Sequence, residues 1–197
     1  VTGNSFDLKH ESTSSSAEFY EISSSEIIPE IFATPKDPVG DPLEYGKGLH
    51  FAGSAARLET TNNVDLTNTD FTLSVWAKID NPTANDGREN RFMGQGSANN
   101  NNHALMFGFD NNLNFSIDFW GNATSVDPGV DISEWHHYTV TYDSGADGSG
   151  LERKLYVDGV LLKTNVPSAA YAHAAAPFYL GSLPQNFNSF TMTGDLD

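Results

Sequence analysis

Two neighbouring stretches of sequence constrain the fold more than any other part of the chain. Trp135–Asp143 is dense in aromatic and β-branched side chains, which pack best on a pleated, half-buried surface. After a glycine-rich loop at Ser144–Gly150, the stretch Leu155–Leu162 carries Asp158-Gly159 between two apolar runs. Asp-Gly is a strong hairpin signal, because a type I′ turn needs positive φ at both central residues. The sequence therefore predicts a long central strand followed by a tight hairpin.

The remainder of the chain from Gly48 onward has the same β texture. In Phe71–Ile79, apolar side chains occupy every second position, and Trp76 lies among the polar side chains between them. Further short strands are predicted at Gly48–Phe51, Arg57–Thr60, Arg91–Gly94, His103–Phe109, Leu113–Trp120, Pro177–Gly181 and Phe190–Gly194. The alanine-rich run Ala169–Ala176 is too short for a stable helix and ends at a proline. About ten short strands separated by turn signals predict an all-β fold, with two antiparallel sheets packed as a β-sandwich.

Composition narrows the classes of partner. The 197 residues suit one domain, and the net charge of −16 repels nucleic acid and anionic lipid, so neither is an expected partner. No apolar run is long enough to span a bilayer, so membrane insertion is not expected. The absence of cysteine excludes disulfides and thiolate chemistry. Because the sequence begins at Val1 without a signal-peptide pattern, we interpret it as a mature, processed or excised piece.

Residues 1–47 differ from the rest of the chain. Serine tracts at Ser12–Ser16 and Ser23–Ser25 are followed by four prolines between positions 29 and 42. This composition is typical of a linker from a larger protein. The apolar pieces Phe19-Tyr20 and Ile27-Ile28 instead favour an arm that packs on this domain or on a neighbouring molecule. We therefore divide the chain into an arm or linker, 1–47, and a β domain, 48–197.

A series of short motifs runs in order along residues 48–197. They are Leu49-His50-Phe51-Ala52-Gly53, Phe71-Thr72 with Trp76 and Lys78, Trp135–Asp143, Leu155–Gly159, Leu180-Gly181, and Phe190 with Gly194 and Asp197. In this order they resemble the laminin-G-like, concanavalin A-like jelly-roll superfamily. The resemblance implies a two-sheet antiparallel jelly-roll β-sandwich. It implies function less strongly, because one fold hosts many activities.

The chain departs from this pattern in two places. Relatives often hold calcium with acidic or amide residues near the first motif, where this chain has Ala52, Ser54, Ala55 and Ala56. That departure leaves Asp195 or Asp197 as the family-type calcium ligands. Relatives also continue past the last motif with a full strand. We therefore expect the last strand to be truncated or supplied from elsewhere, for example by residues 1–47 through strand addition.

The residues offer one other candidate for a metal site. Asp143 and Asp147 belong to a loop that suits calcium, although the third and twelfth positions of an EF-hand lack the required acidic residues. His136 and His137 cannot chelate one ion, because adjacent side chains of a strand point to opposite faces. No cofactor is certain from the sequence, and calcium is the one candidate.

Catalytic motifs are missing from the sequence. Jelly-roll glycosidases of this superfamily carry a Glu-x-Asp-x-x-Glu or Glu-x-Asp-x-Glu strand that brings two carboxylates together, and no such run is present. Asp118 stands without a second carboxylate on its predicted strand. No nucleophile elbow, phosphate-binding loop or zinc-protease helix motif occurs either. We therefore do not expect an enzyme.

Recognition is the remaining class of function. Trp120 could stack on a sugar ring while Asp118 accepts hydrogen bonds from its hydroxyls, unless the tryptophan simply fills the sandwich core. Asn100 and Asn101, in the loop Ala98–Asn102, are candidate ligand contacts, because loops on a rigid sandwich usually carry binding. The loop Asn81–Asn90 is a second candidate rim.

The sequence thus predicts a non-catalytic, extracellular module of a secreted or surface protein that binds a glycan or an extracellular protein. The alternative is a structural subunit of an extracellular filament or surface layer that self-associates through residues 1–47. Size-exclusion behaviour with and without those residues separates the two.

Overall fold

The computed structural model describes residues 48–53, 56–96, 100–183 and 190–197. For residues 8–9 it describes the backbone alone. In these ranges the chain forms thirteen strands and no helix. The strands are β1 (Leu8–Lys9), β2 (Leu49–Ala52), β3 (Leu58–Thr60), β4 (Phe71–Ile79), β5 (Arg91–Gly96), β6 (Ala104–Phe109), β7 (Phe115–Asp118), β8 (Ala123–Val126), β9 (His136–Ser144), β10 (Leu151–Val157), β11 (Val160–Asn165), β12 (Phe178–Leu180) and β13 (Thr193–Leu196). A helix that could cross a membrane is not found among the described residues.

The strands form two antiparallel sheets. One has seven strands in the order β1-β3-β12-β5-β6-β7-β8, and the other has six in the order β11-β10-β9-β4-β13-β2. This arrangement confirms the predicted jelly-roll β-sandwich.

The strand β9 lies inside the six-stranded sheet, between β4 and β10. Tyr138 and Val140 point into the sandwich, while His136 and His137 lie on opposite faces, as predicted. His136 Nδ1 is 2.7 Å from the Asp158 carboxylate, and His137 Nε2 is 2.6 Å from the Ser74 hydroxyl. The two histidines therefore have separate partners.

The predicted hairpin turn is also present. Asp158 and Gly159 have φ values of 50° and 77°, which is the left-handed conformation that a type I′ turn requires. The turn joins β10 to β11, and β10 begins at Leu151, four residues before the predicted start of the hairpin.

The core between the sheets is rich in aromatic rings. Phe92 and Phe109 come from the seven-stranded sheet and meet Tyr138 of the six-stranded sheet at centroid distances of 5.4 and 5.2 Å. A second, smaller cluster contains Ala104, Met106, Leu183 and Phe190, with Trp120 packed against it. Since Leu105 and Phe107 of the same strand belong to the main core, this second cluster lies on the outer face of the seven-stranded sheet.

The end of the chain differs from the prediction. The last strand is Thr193–Leu196 rather than Phe190–Gly194, and it pairs with β2 on one side and β4 on the other. Residues 193–196 therefore lie between β2 and β4, and the truncation of this strand or its completion from elsewhere stays a prediction from the sequence. The strand is short, and in the described part of the chain residues 71–75 of β4 pair only with β9.

Two strands were not predicted from the sequence. One is β8, at the edge of the seven-stranded sheet. The other is β1, in which Leu8 and Lys9 pair with Thr60 and Glu59 at the opposite edge. Part of the 1–47 segment therefore adds to the sandwich as a strand. The other predictions for that segment fall outside the described residues.

Two buried tyrosines give a test of the core. The Tyr171 hydroxyl donates to Gln95 Oε1 at 3.0 Å, whereas the Tyr138 hydroxyl is buried with no partner among the described residues. We expect Tyr171→Phe to cost about 1 kcal/mol of unfolding free energy at pH 7. Tyr138→Phe should be neutral or stabilising by up to about 1 kcal/mol, because it removes an unsatisfied buried group. Urea denaturation measures both, and equal losses in the two variants would contradict the assignment.

The same tyrosines predict alkaline sensitivity. Burial raises the pKa of Tyr138 and Tyr171 above the ordinary value near ~10. The unfolded chain therefore loses these protons first as pH rises, so stability is intact below about pH 10 and falls above it. Each Tyr→Phe variant should flatten the decline in unfolding free energy between pH 9 and 11, roughly, when followed by urea denaturation. An unchanged slope in both variants would refute this explanation.

Candidate functional site

The predicted ligand-binding residues come together at one end of the seven-stranded sheet. We call Asn100, Asn101, Asp118 and Trp120 the rim site. Asn102 connects its two parts, because its backbone N–H donates to the Trp120 carbonyl at 3.1 Å. A methyl group at Gly121 would lie 3.0 Å from Asn101 Oδ1, so that amide stands directly beside the turn after β7.

Asp118 ends β7 and holds the turn that follows. Its Oδ1 accepts a hydrogen bond from the backbone N–H of Asn122 at 3.0 Å, a common role for an aspartate at a turn. Across the neighbouring strands it faces Met106 and Ala123. The carboxylate therefore has a structural partner on one side and no acidic neighbour in either cross-strand position.

Trp120 has an unusual backbone conformation. Its φ is 61°, and that of the following Gly121 is 69°. A bulky residue seldom adopts the left-handed region, and such strain is concentrated at functional sites. The indole is half-buried and packs edge-on against Phe190, with ring centroids 6.1 Å apart. Trp120 therefore lies on the outer face of the sheet, neither between the two sheets nor on an open platform.

Asn122 ties the rim site to the rest of the fold. Its side-chain nitrogen donates to Asn102 Oδ1 at 2.7 Å and to the Ala169 carbonyl at 2.9 Å. Its side-chain oxygen accepts from the Ser168 backbone at 3.3 Å. Three separate segments of chain are thus joined through one buried amide.

A buried arginine supports the turn from below. Arg153 of β10 donates from Nη1 to the Asn122 carbonyl at 2.6 Å, and its guanidinium lies 3.9 Å from the centroid of Phe119. Burial lowers the pKa of Arg153 to about 10, and the nearby Asp118 charge partly opposes that shift. Its Nε and Nη2 have no hydrogen-bond partner among the described residues. Neither Arg153 nor Asn122 was identified from the sequence, although alternation in β10 places position 153 on the inner face.

The two loops predicted as rims lie at different ends of the sheet. In the loop Asn81–Asn90, the backbone N–H groups of Asn85 and Gly87 donate to Asn111, in the turn between β6 and β7. Strands β6 and β7 are antiparallel, so that turn is at the opposite end from the turn after β7. The loop Asn81–Asn90 therefore does not contribute to the rim site.

The aspartates proposed as calcium ligands have protein partners. Asp143 accepts from the Gly145 backbone at 2.8 Å, and Asp147 accepts from the Ser149 backbone at 2.8 Å. Asp195 lies 2.7 Å from His50 Nδ1 and 3.1 Å from Lys78 Nζ. The backbone of Asp197 exchanges two 2.9 Å hydrogen bonds with Trp76.

Asp143, near the end of β9, and Asp147 thus accept hydrogen bonds within the connection between β9 and β10. Asp195 of β13 lies in an ion pair, and Asp197 directly follows β13. Within the described ranges, no three His, Asp or Glu residues cluster closely enough to hold a metal ion. Calcium binding remains a prediction from the sequence.

Asparagine substitutions test how the rim site is held. Removing the Asn122 amide in Asn122→Ala should cost about 2–3 kcal/mol, because it leaves buried partners without hydrogen bonds. Asn114→Ala is the control, since its amide makes one long contact of 3.4 Å to Asp110. We expect the control to lose less than about 1 kcal/mol in urea denaturation. Similar losses in both variants would show that Asn122 is not the link.

Comparison with known proteins places the fold. The model of the concanavalin A-like lectin/glucanases superfamily matches residues 52–197. No curated protein sequence matches this chain.

Several solved structures share the fold at low sequence identity. The native heptameric SAP-like pentraxin of Limulus polyphemus is 13% identical over 75% of this chain and 71% of its own, with a TM-score of 0.54. The CBM40 of the Ruminococcus gnavus IT-sialidase, bound to α2,6 sialyllactose, is 14% identical over 76% of this chain and 86% of its own, with a TM-score of 0.52. Mouse laminin α1 domains LG4-5 are 16% identical over 77% of this chain and 41% of their own, with a TM-score of 0.50. At these identities the likeness concerns the fold, and the family match agrees with the order of motifs: the chain belongs to the concanavalin A-like lectin/glucanases superfamily.

Proposed function

We propose that this chain is a non-catalytic binding module of a secreted or cell-surface protein, and that its rim site contacts a glycan. The observation that carries the proposal is the left-handed backbone of Trp120 beside the exposed Asn100 and Asn101. An indole flanked by amide donors and acceptors is suited to a sugar ring and its hydroxyls. The strain at Trp120 has a reason if the position of the indole matters for binding.

The register of β7 supports a non-catalytic role. A retaining glycosidase needs two carboxyl groups roughly 5 Å apart, and an inverting one needs roughly 6.5–9.5 Å. Asp118 is opposite Met106 and Ala123 on the two adjacent strands, and its carboxylate accepts a backbone hydrogen bond. The rim site thus offers two exposed amides and a half-buried indole rather than an acid pair.

The solved neighbours suggest which probes to use first. One neighbour is a sialidase CBM40 bound to sialyllactose, and another is part of laminin. Both names are consistent with an extracellular role and with glycan or protein ligands. A glycan array that includes neutral and sialylated oligosaccharides, followed by calorimetry on the strongest ligand, is therefore the first experiment.

Two variants test the rim site against that ligand. Trp120→Ala and the double variant Asn100→Ala/Asn101→Ala should each weaken binding about tenfold or more, because each removes one kind of contact. The double variant Asn62→Ala/Asn63→Ala is the matched control, since these exposed asparagines follow the end of β3, and three strands of the same sheet separate β3 from β7. Its affinity should stay within about twofold of the unaltered chain. Binding that survives in the rim variants would contradict the proposal, as would a ligand that proves to be hydrolysed.

Assembly through residues 1–47 is the second candidate function. The pairing of β1 with β3 favours it, because an arm that adds a strand to its own sheet could add the same strand to a neighbour's sheet. In that case β1 of one molecule would pair with β3 of another, with the same hydrogen bonds that it makes within its own chain.

Deleting residues 1–47 tests this second candidate. We expect the full chain to form concentration-dependent larger species in light scattering, and the deleted chain to remain monomeric. The substitution Leu8→Pro is a milder version, since proline removes a backbone donor from the two-residue strand. A monomer at every concentration for the full chain would rule out assembly through the arm.

A further inference from the structure

The outer face of the six-stranded sheet carries an exposed tryptophan. Trp76 of β4 is 41% exposed, and it is the one aromatic among the strongly exposed large apolar residues in the described ranges. It lies in the middle of the sheet, paired with His137 of β9 on one side and with the backbone of Asp197 on the other. The indole and the His137 imidazole are 5.3 Å apart with a tilt of 41°. The ring is thus held in position while a large part of it faces solvent.

Polar groups beside the indole are connected to one another. The Ser74 hydroxyl is 2.6 Å from His137 Nε2 and 3.1 Å from the Thr139 hydroxyl. His137 Nδ1 has no hydrogen-bond partner in the described part of the chain, so it can bond a ligand. The network already holds these side chains in place, so a ligand that binds them loses little free energy to side-chain ordering.

The charges on this face favour an uncharged ligand over an anionic one. Lys78 is paired with Asp195 at 3.1 Å, and Lys154 is paired with Glu152. Both lysines on the outer face of β4 and β10 are therefore neutralised, within a chain whose net charge is −16. An uncharged ligand needs no free lysine and is not repelled by the negative charge of the chain.

The residues around Trp76 also favour a sugar over a protein. A stable protein interface buries roughly 800 Å² on each side around an apolar centre. Toward one end of β4 and β9 the outward positions beyond Trp76 and His137 instead carry hydroxyls, at Thr72, Ser74, Thr139 and Thr141. On the other side of Trp76 lies the ion pair of Lys78 and Asp195. A flat polar surface with one aromatic ring suits an oligosaccharide, whose apolar ring face stacks while its hydroxyls bond.

We propose that Trp76, Ser74, His137 and Thr139 form a second binding site, for an uncharged oligosaccharide, on the sheet opposite the rim site. The two sites lie on different sheets. This inference therefore does not depend on the rim site.

The test uses the full 197-residue chain and three uncharged probes: cellohexaose, laminarihexaose and mannohexaose. Two-dimensional ¹H–¹⁵N NMR should show at least one probe shifting the Trp76 indole N–H and the backbone amides of Ser74 and Thr139. Lactose and α2,6 sialyllactose form a matched pair that differs by one charged sugar. We expect sialyllactose to bind this site no more tightly than lactose, and the Kd of the neutral probe to be unchanged between low and high salt.

Variants separate this site from the rim. Trp76→Ala should weaken binding of the shifting hexasaccharide at least tenfold, and Ser74→Ala should weaken it several-fold with unchanged unfolding behaviour. Trp120→Ala is the control and should leave the Trp76 shifts intact. The proposal is overturned if none of the three probes shifts the Trp76 indole, if Trp76→Ala binds as well as the unaltered chain, or if only a protein or an anionic sugar perturbs this face.

Discussion

The alternation of side chains along β9 is the constraint on which the rest of the structure depends. β9 is hydrogen-bonded to β4 and β10, so its pleat decides which side chains of three strands enter the core. Tyr138 meets Phe92, Phe109 and Phe115 of the other sheet at centroid distances of 5.1–5.4 Å. A shift of one residue would expose this ring cluster and bury His137 in its place. The aromatic core therefore fixes the register of the six-stranded sheet.

Both candidate sites follow from that register. The same alternation that points Tyr138 into the core points Trp76 and His137 outward, and these two residues are cross-strand partners on β4 and β9. Along β10 it directs Arg153 inward, beneath the turn that carries Trp120. The guanidinium stacks on Phe119 and donates a hydrogen bond to the Asn122 carbonyl in that turn. Buried contacts thus support the strained backbone of Trp120.

Sequence predicted the parts of this fold that are locally encoded. Phe71–Ile79 and Trp135–Asp143 alternate long enough for their faces to be assigned, and the structure keeps those faces. The strand Ala123–Val126 has little apolar content, so its own sequence does not predict it. It forms through its backbone hydrogen bonds to the neighbouring strand β7. The Trp120 carbonyl accepts a hydrogen bond from Asn102, eighteen positions earlier, and no local pattern reveals that contact. Arg153 escaped notice because a charged residue rarely lies fully buried.

Native-state hydrogen exchange tests this account most directly. If the register of β9 holds the sandwich together, its amides, with those of β4 and β10 that bond to it, should exchange only through global unfolding and with the same free energy as urea denaturation. The amides of Asn100 and Asn101 should exchange through local opening at lower free energy. Rapid local exchange along β9, with slower exchange elsewhere in the domain, would contradict the account.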